Sequence, residues 1–98
     1  MVQIIWSEQA IEELNSIYEF ISQDSIRYAE ITINRIMSIA DRLEIFPLSG
    51  RIVPEINDET IREQIYGNYR VMYKVKTNEI KILTVHHSAR FFDSESII

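Results

Sequence analysis

The hydrophobic period changes once along this chain, and that change sets the fold class. Up to Leu43 apolar residues recur every three or four positions, and from Ile61 onward they alternate with polar ones. The first spacing keeps side chains on one face of an α-helix. The second puts them on one face of a β-strand. Before the helical stretch, Val2 to Trp6 is a short apolar run that reads as a strand. Ser7 follows as a helix N-cap, its hydroxyl able to accept a backbone N–H left without a partner in the first turn. Ala10, Leu14, Ile17, Tyr18 and Ile21 then share one helical face, and Glu8, Glu12, Glu13 and Glu19 fall mostly on the other. Asp24 or Ser25 caps a second helix whose apolar seam is Ile26, Ala29, Ile33, Ile36, Ala40 and Leu43. The link Gln23–Ser25 is too short for anything but an antiparallel helical hairpin. Pro47 and Gly50 end the second helix.

Residues 51–60 read as a loop, with Pro54, Asn57 and Asp58. Three strands follow: Ile61–Ile65, Tyr69–Lys76 and Glu79–His87. In the middle one, Tyr69, Val71, Tyr73 and Val75 alternate with Arg70, Met72, Lys74 and Lys76, the pattern of a half-buried strand. Thr77-Asn78 and Tyr66-Gly67-Asn68 supply the turns. The expectation is an α+β fold: an N-terminal strand, an antiparallel two-helix hairpin, then a three-stranded antiparallel meander in one twisted sheet. With no repeat and no linker, residues 1–98 read as a single domain. Residues 88–98 read as a polar tail with an apolar patch at Phe91-Phe92.

Composition narrows the chemistry. There is no cysteine and there are two histidines, so neither a disulfide nor a thiolate metal site is possible and no cofactor is expected. No apolar run is long enough to span a membrane, and Met1-Val2-Gln3 does not begin a signal peptide, so a cytoplasmic protein is expected. The net charge of -5 disfavours non-specific nucleic-acid binding. Residues 1–49 hold 3 basic and 8 acidic side chains, whereas residues 50–98 hold 7 of each. A locally basic site in the second half is compatible with that balance.

Strand parity predicts which side chains meet. A two-residue turn at Thr77-Asn78 sets Tyr73 opposite Ile82, Val75 opposite Ile80 and Arg70 opposite Val85. A three-residue loop at Tyr66–Asn68 puts Ile61 and Ile65 on the core face with Tyr69 and Tyr73. Arg62, Arg70 and His87 then share the sheet face away from the helices, with Glu55 on the loop leading into it. A one-residue slip in either register reverses the result. A carboxylate, two guanidiniums and an imidazole can cleave a phosphodiester: Glu55 takes the proton of a ribose 2′-hydroxyl, Arg62 and Arg70 hold the phosphate, and His87 protonates the leaving oxygen. No metal is needed for that. The same arginines serve equally as ion-pair partners of Glu63 or Glu55, and His86 is expected on the core face opposite Tyr69 as a packed histidine.

Several segments together resemble the RelE/ParE toxins of type II toxin–antitoxin systems, also known as plasmid stabilisation proteins. They are Trp6-Ser7 with Ala10 and Leu14, Pro47-Leu48-Ser49-Gly50-Arg51, Val53-Pro54-Glu55, Arg62-Glu63, Tyr69 to Val75 and Ile82 to Arg90. The match runs through nearly the whole chain in order. It implies a helical hairpin on a twisted antiparallel sheet, and a toxin neutralised by, and assembled with, a co-expressed antitoxin. Some such toxins cleave mRNA on the ribosome without a metal. Carried over, their functional residues fall on Glu55, Arg62, Arg70 and His86 or His87. Others share the fold and poison DNA gyrase without catalysis. Ribosome-dependent mRNA cleavage is the first expectation and gyrase inhibition the alternative. Two departures bear on the choice: the first lysine is Lys74, and no tyrosine follows Val85.

Overall fold

The computed structural model describes residues 2–97. In chain order the elements are β1 (Gln3–Trp6), α1 (Glu8–Ser22), α2 (Ile26–Arg42), β2 (Arg51–Ile52), β3 (Ile61–Tyr66), β4 (Tyr69–Val75), β5 (Glu79–His87) and a short 3₁₀ turn (Ser94–Ser96). Ser7 caps α1 and Ser25 caps α2, each hydroxyl accepting the backbone N–H three residues on. The strands form one five-stranded sheet in the order β1-β5-β4-β3-β2. The first strand joins the last in parallel, and the other pairings are antiparallel. The sheet is therefore mixed, and it is wider than the expected meander.

The added strand is β2, inside the segment read as loop. Arg51 and Ile52 pair with Glu63 and Arg62. Gly50 precedes them because nothing larger fits: a Cβ there would stand 2.5 Å from both the Glu63 carbonyl oxygen and Tyr73 Oη. The Gly50 N–H donates to that Tyr73 oxygen at 2.9 Å, which ties the end of the helical hairpin to the middle of the sheet.

Each sheet face carries its own core. On the helix side, Ala10, Ile36, Ala40 and Leu43 pack on Val71, Tyr73, Ile80, Ile82 and Val85. The α2 seam is right at Ala29, Ile36, Ala40 and Leu43, but Ile26 is 61% exposed, and next to the half-buried Ile33 it is Thr32 that is buried, donating its hydroxyl back to the Tyr28 carbonyl. On the opposite face Val53, Ile61 and Met72 form a smaller cluster covered by Ile56, Leu83, Phe92 and Ile97. The C-terminal segment thus folds back across the sheet and closes its second face.

Both hairpin registers differ from the parity expected above. Tyr66 pairs with Tyr69, so the β3–β4 turn has two residues, with Gly67 at φ 56 in its first central position. This is the arrangement of a II′ hairpin turn, whose twist matches that of the strands. Ile61 and Glu63 consequently face away from the helices, Ile65 is 51% exposed, and Arg62 lies opposite Tyr73. In β4–β5 the Tyr73–Ile82 and Val75–Ile80 pairs form as expected. A bulge then places Leu83 out of step, and Met72 pairs with Thr84 and Arg70 with His86. Beyond a bulge every side chain changes face.

Candidate functional site

The two register differences rearrange the expected set. Arg62 leaves the site: its Nε donates to the Glu59 carbonyl and its Nη1 to the Gly50 carbonyl, each at 3.0 Å, pinning both ends of the 50–60 segment. His87 also leaves. It sits opposite Tyr69, with ring centroids 5.2 Å apart and edge-on, and its Nδ1 accepts the Ala89 N–H. It lines a cavity of about 370 Å³ between α1 and the end of β5, together with Ile17, Phe20, Tyr69 and Arg90. His86, expected in the core, is instead the neighbour of Arg70. Arg62, Arg70 and His87 therefore do not share a face, and of the four expected residues only Glu55 and Arg70 come together.

What assembles around Arg70 is a chain of ion pairs. Its Nη1 and Nη2 donate to the two Glu55 carboxylate oxygens, both at 2.8 Å, in a bidentate fork. Its Nε donates to Glu63 Oε1 at 2.6 Å. The other Glu63 oxygen accepts from Arg51 Nε, also at 2.6 Å. The Glu63 side chain is fully buried, that of Arg70 is 12% exposed, and those of Glu55 and Arg51 are 42% and 61% exposed. The Phe92 ring lies 5.2 Å from the Arg70 guanidinium carbon and packs edge-on against His86, whose Nε2 is 3.0 Å from the Arg90 carbonyl.

The electrostatics follow from the contacts. The Arg70 fork holds the Glu55 carboxyl down to about 2 from 4.5, with the partial burial of Glu55 opposing and the Arg51 charge assisting. Arg70 is raised above its ordinary value, first by Glu55 and then, against the cost of burial, by Glu63. Two guanidiniums and two carboxylates leave the group near neutral. Sequence reasoning missed Arg51 and the central place of Glu63. The signal for Glu63 was present, since a carboxylate between two strand residues of period two must face the sheet side of Arg70 once the turn is shortened to two residues.

The family model for the ParE toxin of the type II toxin–antitoxin system parDE matches residues 4–92. The chain belongs to this toxin family. The toxin is 30% identical over 91 residues to Toxin RelE2 of Caulobacter vibrioides, an alignment covering 92% of this chain and 99% of that protein. Its fold is similar to a chain of the chromosomal ParDE TA system from P. aeruginosa, with a TM-score of 0.73 at 20% identity, covering 89% of this toxin and 96% of that chain. The toxin contains no helix long and apolar enough to cross a membrane among the described residues.

Proposed function

We propose that this toxin acts by binding a protein target rather than by cutting mRNA, that the target is DNA gyrase, and that a co-expressed antitoxin neutralises it. The observation that carries this reading is the mutual capture of Arg70 and Glu55. A general base works best with a pKa near the operating pH. A carboxyl held down to about 2 is a weak base for a ribose hydroxyl, and its two oxygens are already bonded to Arg70. The guanidinium that would hold the phosphate is saturated by two carboxylates. The imidazole expected as the acid, His87, lies on the far side of the sheet beside Tyr69. The chain's net charge of -5 adds an unfavourable long-range field for RNA.

Binding without catalysis asks less of these residues. It needs a rigid surface, and the ion-pair chain supplies rigidity by tying β2, β3, β4 and the 53–60 loop together. An antitoxin partner is supported by the family itself and by the ParDE assembly to which the fold is similar.

Two assays run side by side test the proposal. Purified toxin is added to a gyrase supercoiling reaction, and separately to a reconstituted translation system with primer extension across the mRNA. Loss of supercoiling at toxin levels comparable to gyrase, with intact mRNA, is the expected result. Codon-phased mRNA ends that disappear in Glu55→Gln would overturn it and restore the ribonuclease reading.

A further inference from the structure

The cavity between α1 and the end of β5 exists because β1 is short. β1 stops at Trp6, opposite Ile82, and the chain then turns into α1, so no strand stands beside the last residues of β5. The other wall comes from α1, where Glu13, Ser16, Ile17 and Phe20 are spaced to share one side of the helix. The lining is apolar at Ile17, Val85 and Ala89, and the largely exposed Phe20 ring borders it. The turn after α2 has the complementary shape. Buried Leu43 ends the helix, and Pro47 disfavours helical backbone at the residue before it. Phe46 N–H donates to the Arg42 carbonyl and Ser49 N–H to the Phe46 carbonyl, and this tight turn leaves Ile45, Phe46 and Leu48 mostly in solvent. Phe46 stands with Arg42, Ser49 and Gln64, the last on β3, and β4 lies between that strand and β5. The tip of one chain therefore does not fill the cavity of the same chain.

Charge matches the two features as well as shape does. The tip carries Arg42 and Glu44 around Phe46, and the cavity is lined by Glu13 and Arg90. Arg42, Glu44 and Arg90 belong to no ion pair among the described residues. Glu13 uses only Oε1, for the Thr84 hydroxyl and the Val85 N–H, which leaves Oε2 for a further donor. We propose that two copies of this toxin associate by mutual exchange, the Ile45–Leu48 tip of each entering the α1–β5 cavity of the other. Phe46 is the anchor, seated against Ile17 and Phe20, with Arg42 paired to Glu13 and Glu44 to Arg90. Both copies give and receive the same patch, so association closes at two chains. Three apolar side chains per tip make a contact at the small end of protein interfaces, so the dimer forms only as concentration rises. None of this depends on which target the toxin poisons.

Sedimentation of the full-length toxin over a concentration series tests the proposal. A reversible shift from one chain to two, with no growth beyond two, is expected. Phe46→Ser at the tip and Phe20→Ser at the cavity are each expected to weaken the dimer about tenfold. Both rings are largely exposed, so the fold persists, and urea unfolding midpoints check this. Mixed in equal amounts, the two variants are expected to associate more strongly than either alone. The Phe46→Ser chain still offers an unaltered cavity and the Phe20→Ser chain an unaltered tip. Arg90→Glu, which sets like charges together, is expected to weaken the dimer, and adding Glu44→Arg in the same chain to recover it. A single-chain mass at every concentration, growth past two chains, or association unchanged in either serine variant would each overturn the proposal. So would a mixture no stronger than its components, or a charge-swapped chain no stronger than Arg90→Glu alone.

Discussion

The fully buried side chain of Glu63 is tolerable because each of its oxygens meets a guanidinium at 2.6 Å, and among the described residues no buried side-chain polar atom lacks a partner. Removing one partner leaves one of its two buried oxygens bare, and breaking a buried pair costs about 3–5 kcal/mol. Arg70→Ala is therefore expected to lower the unfolding free energy by about that much in urea denaturation, because it also frees Glu55. A loss below about 1 kcal/mol would mean that water reaches Glu63 and that the clamp is loose. Glu55 itself sets a pH dependence. Its pKa is lowered in the fold from 4.5 to about 2, so the unfolded chain takes up the proton first as pH falls. The Arg70–Glu55 contribution is thus complete above about pH 5 and disappears as pH drops through about 2. Unfolding midpoints of the native toxin and Glu55→Gln, followed from neutral to acid pH, are expected to differ at neutral pH and converge toward pH 2. A gap that stays constant with pH would show that Glu55 acts through its shape and not its charge. At Gly50 the limit is steric. Gly50→Ala drives a Cβ into the Glu63 carbonyl and Tyr73 Oη, both 2.5 Å away, and overpacking of this kind costs about 1–3 kcal/mol.

At the scale of elements, the end of β5 shows how the open side of a strand is closed. β1 pairs with β5 only as far as Ile82, so the backbone beyond it lacks a strand neighbour on that side. Side chains at the start of α1 take over. Ser7, the helix cap, donates its hydroxyl to the Leu83 carbonyl at 2.9 Å, and Glu13 accepts from the Thr84 hydroxyl at 2.6 Å and the Val85 N–H at 3.1 Å. Glu13→Ala orphans two donors at residues that are nearly fully buried, a loss of about 1–3 kcal/mol. Hydrogen exchange at the Val85 amide is expected to accelerate in that variant, while the amides of β3 keep their protection. Uniform acceleration would assign Glu13 to global stability instead. The same strand explains what was legible in the sequence. Period and caps located both helices and three strands, because burial on one face writes directly into residue spacing, and a short apolar run located β1. Register was not legible. The choice between a two- and a three-residue turn at Gly67 rests on twist, and the bulge at Leu83 rests on packing from α1 and the tail, neither of which leaves a mark on alternation. Those two single-residue shifts moved Arg62 and His87 out of the site and brought His86 in. β2 was invisible for another reason: two residues held largely by β3 and by the Arg51–Glu63 pair carry no periodicity of their own.

For the whole molecule, surface apolarity is the feature that sequence period could least foresee, because period tells which face is apolar but not whether anything covers it. The helical hairpin and the turn after it leave Phe20, Ile26, Tyr28, Met37, Ile45, Phe46 and Leu48 more than 40% exposed. Single exposed apolar residues are ordinary, but apolar area concentrated along one stretch of chain marks an interaction surface. Ile45, Phe46 and Leu48 are the densest such stretch, at 72%, 59% and 60% exposed, just past the C-terminal end of α2. They contribute little to the fold and stand in contact with water. The toxin alone is therefore expected to self-associate with rising concentration and to bind a dye such as ANS, and the proposed antitoxin is expected to suppress both. Phe46→Ser is the sharper experiment. Since the ring is mostly in solvent, the change should leave unfolding stability within about 0.5 kcal/mol while lowering the weight-average mass in sedimentation at high concentration. A variant that self-associates as the native toxin does would move the interaction surface away from the 45–48 turn and onto the outer faces of α1 and α2, where Phe20→Ser and Met37→Ser are the next substitutions to measure.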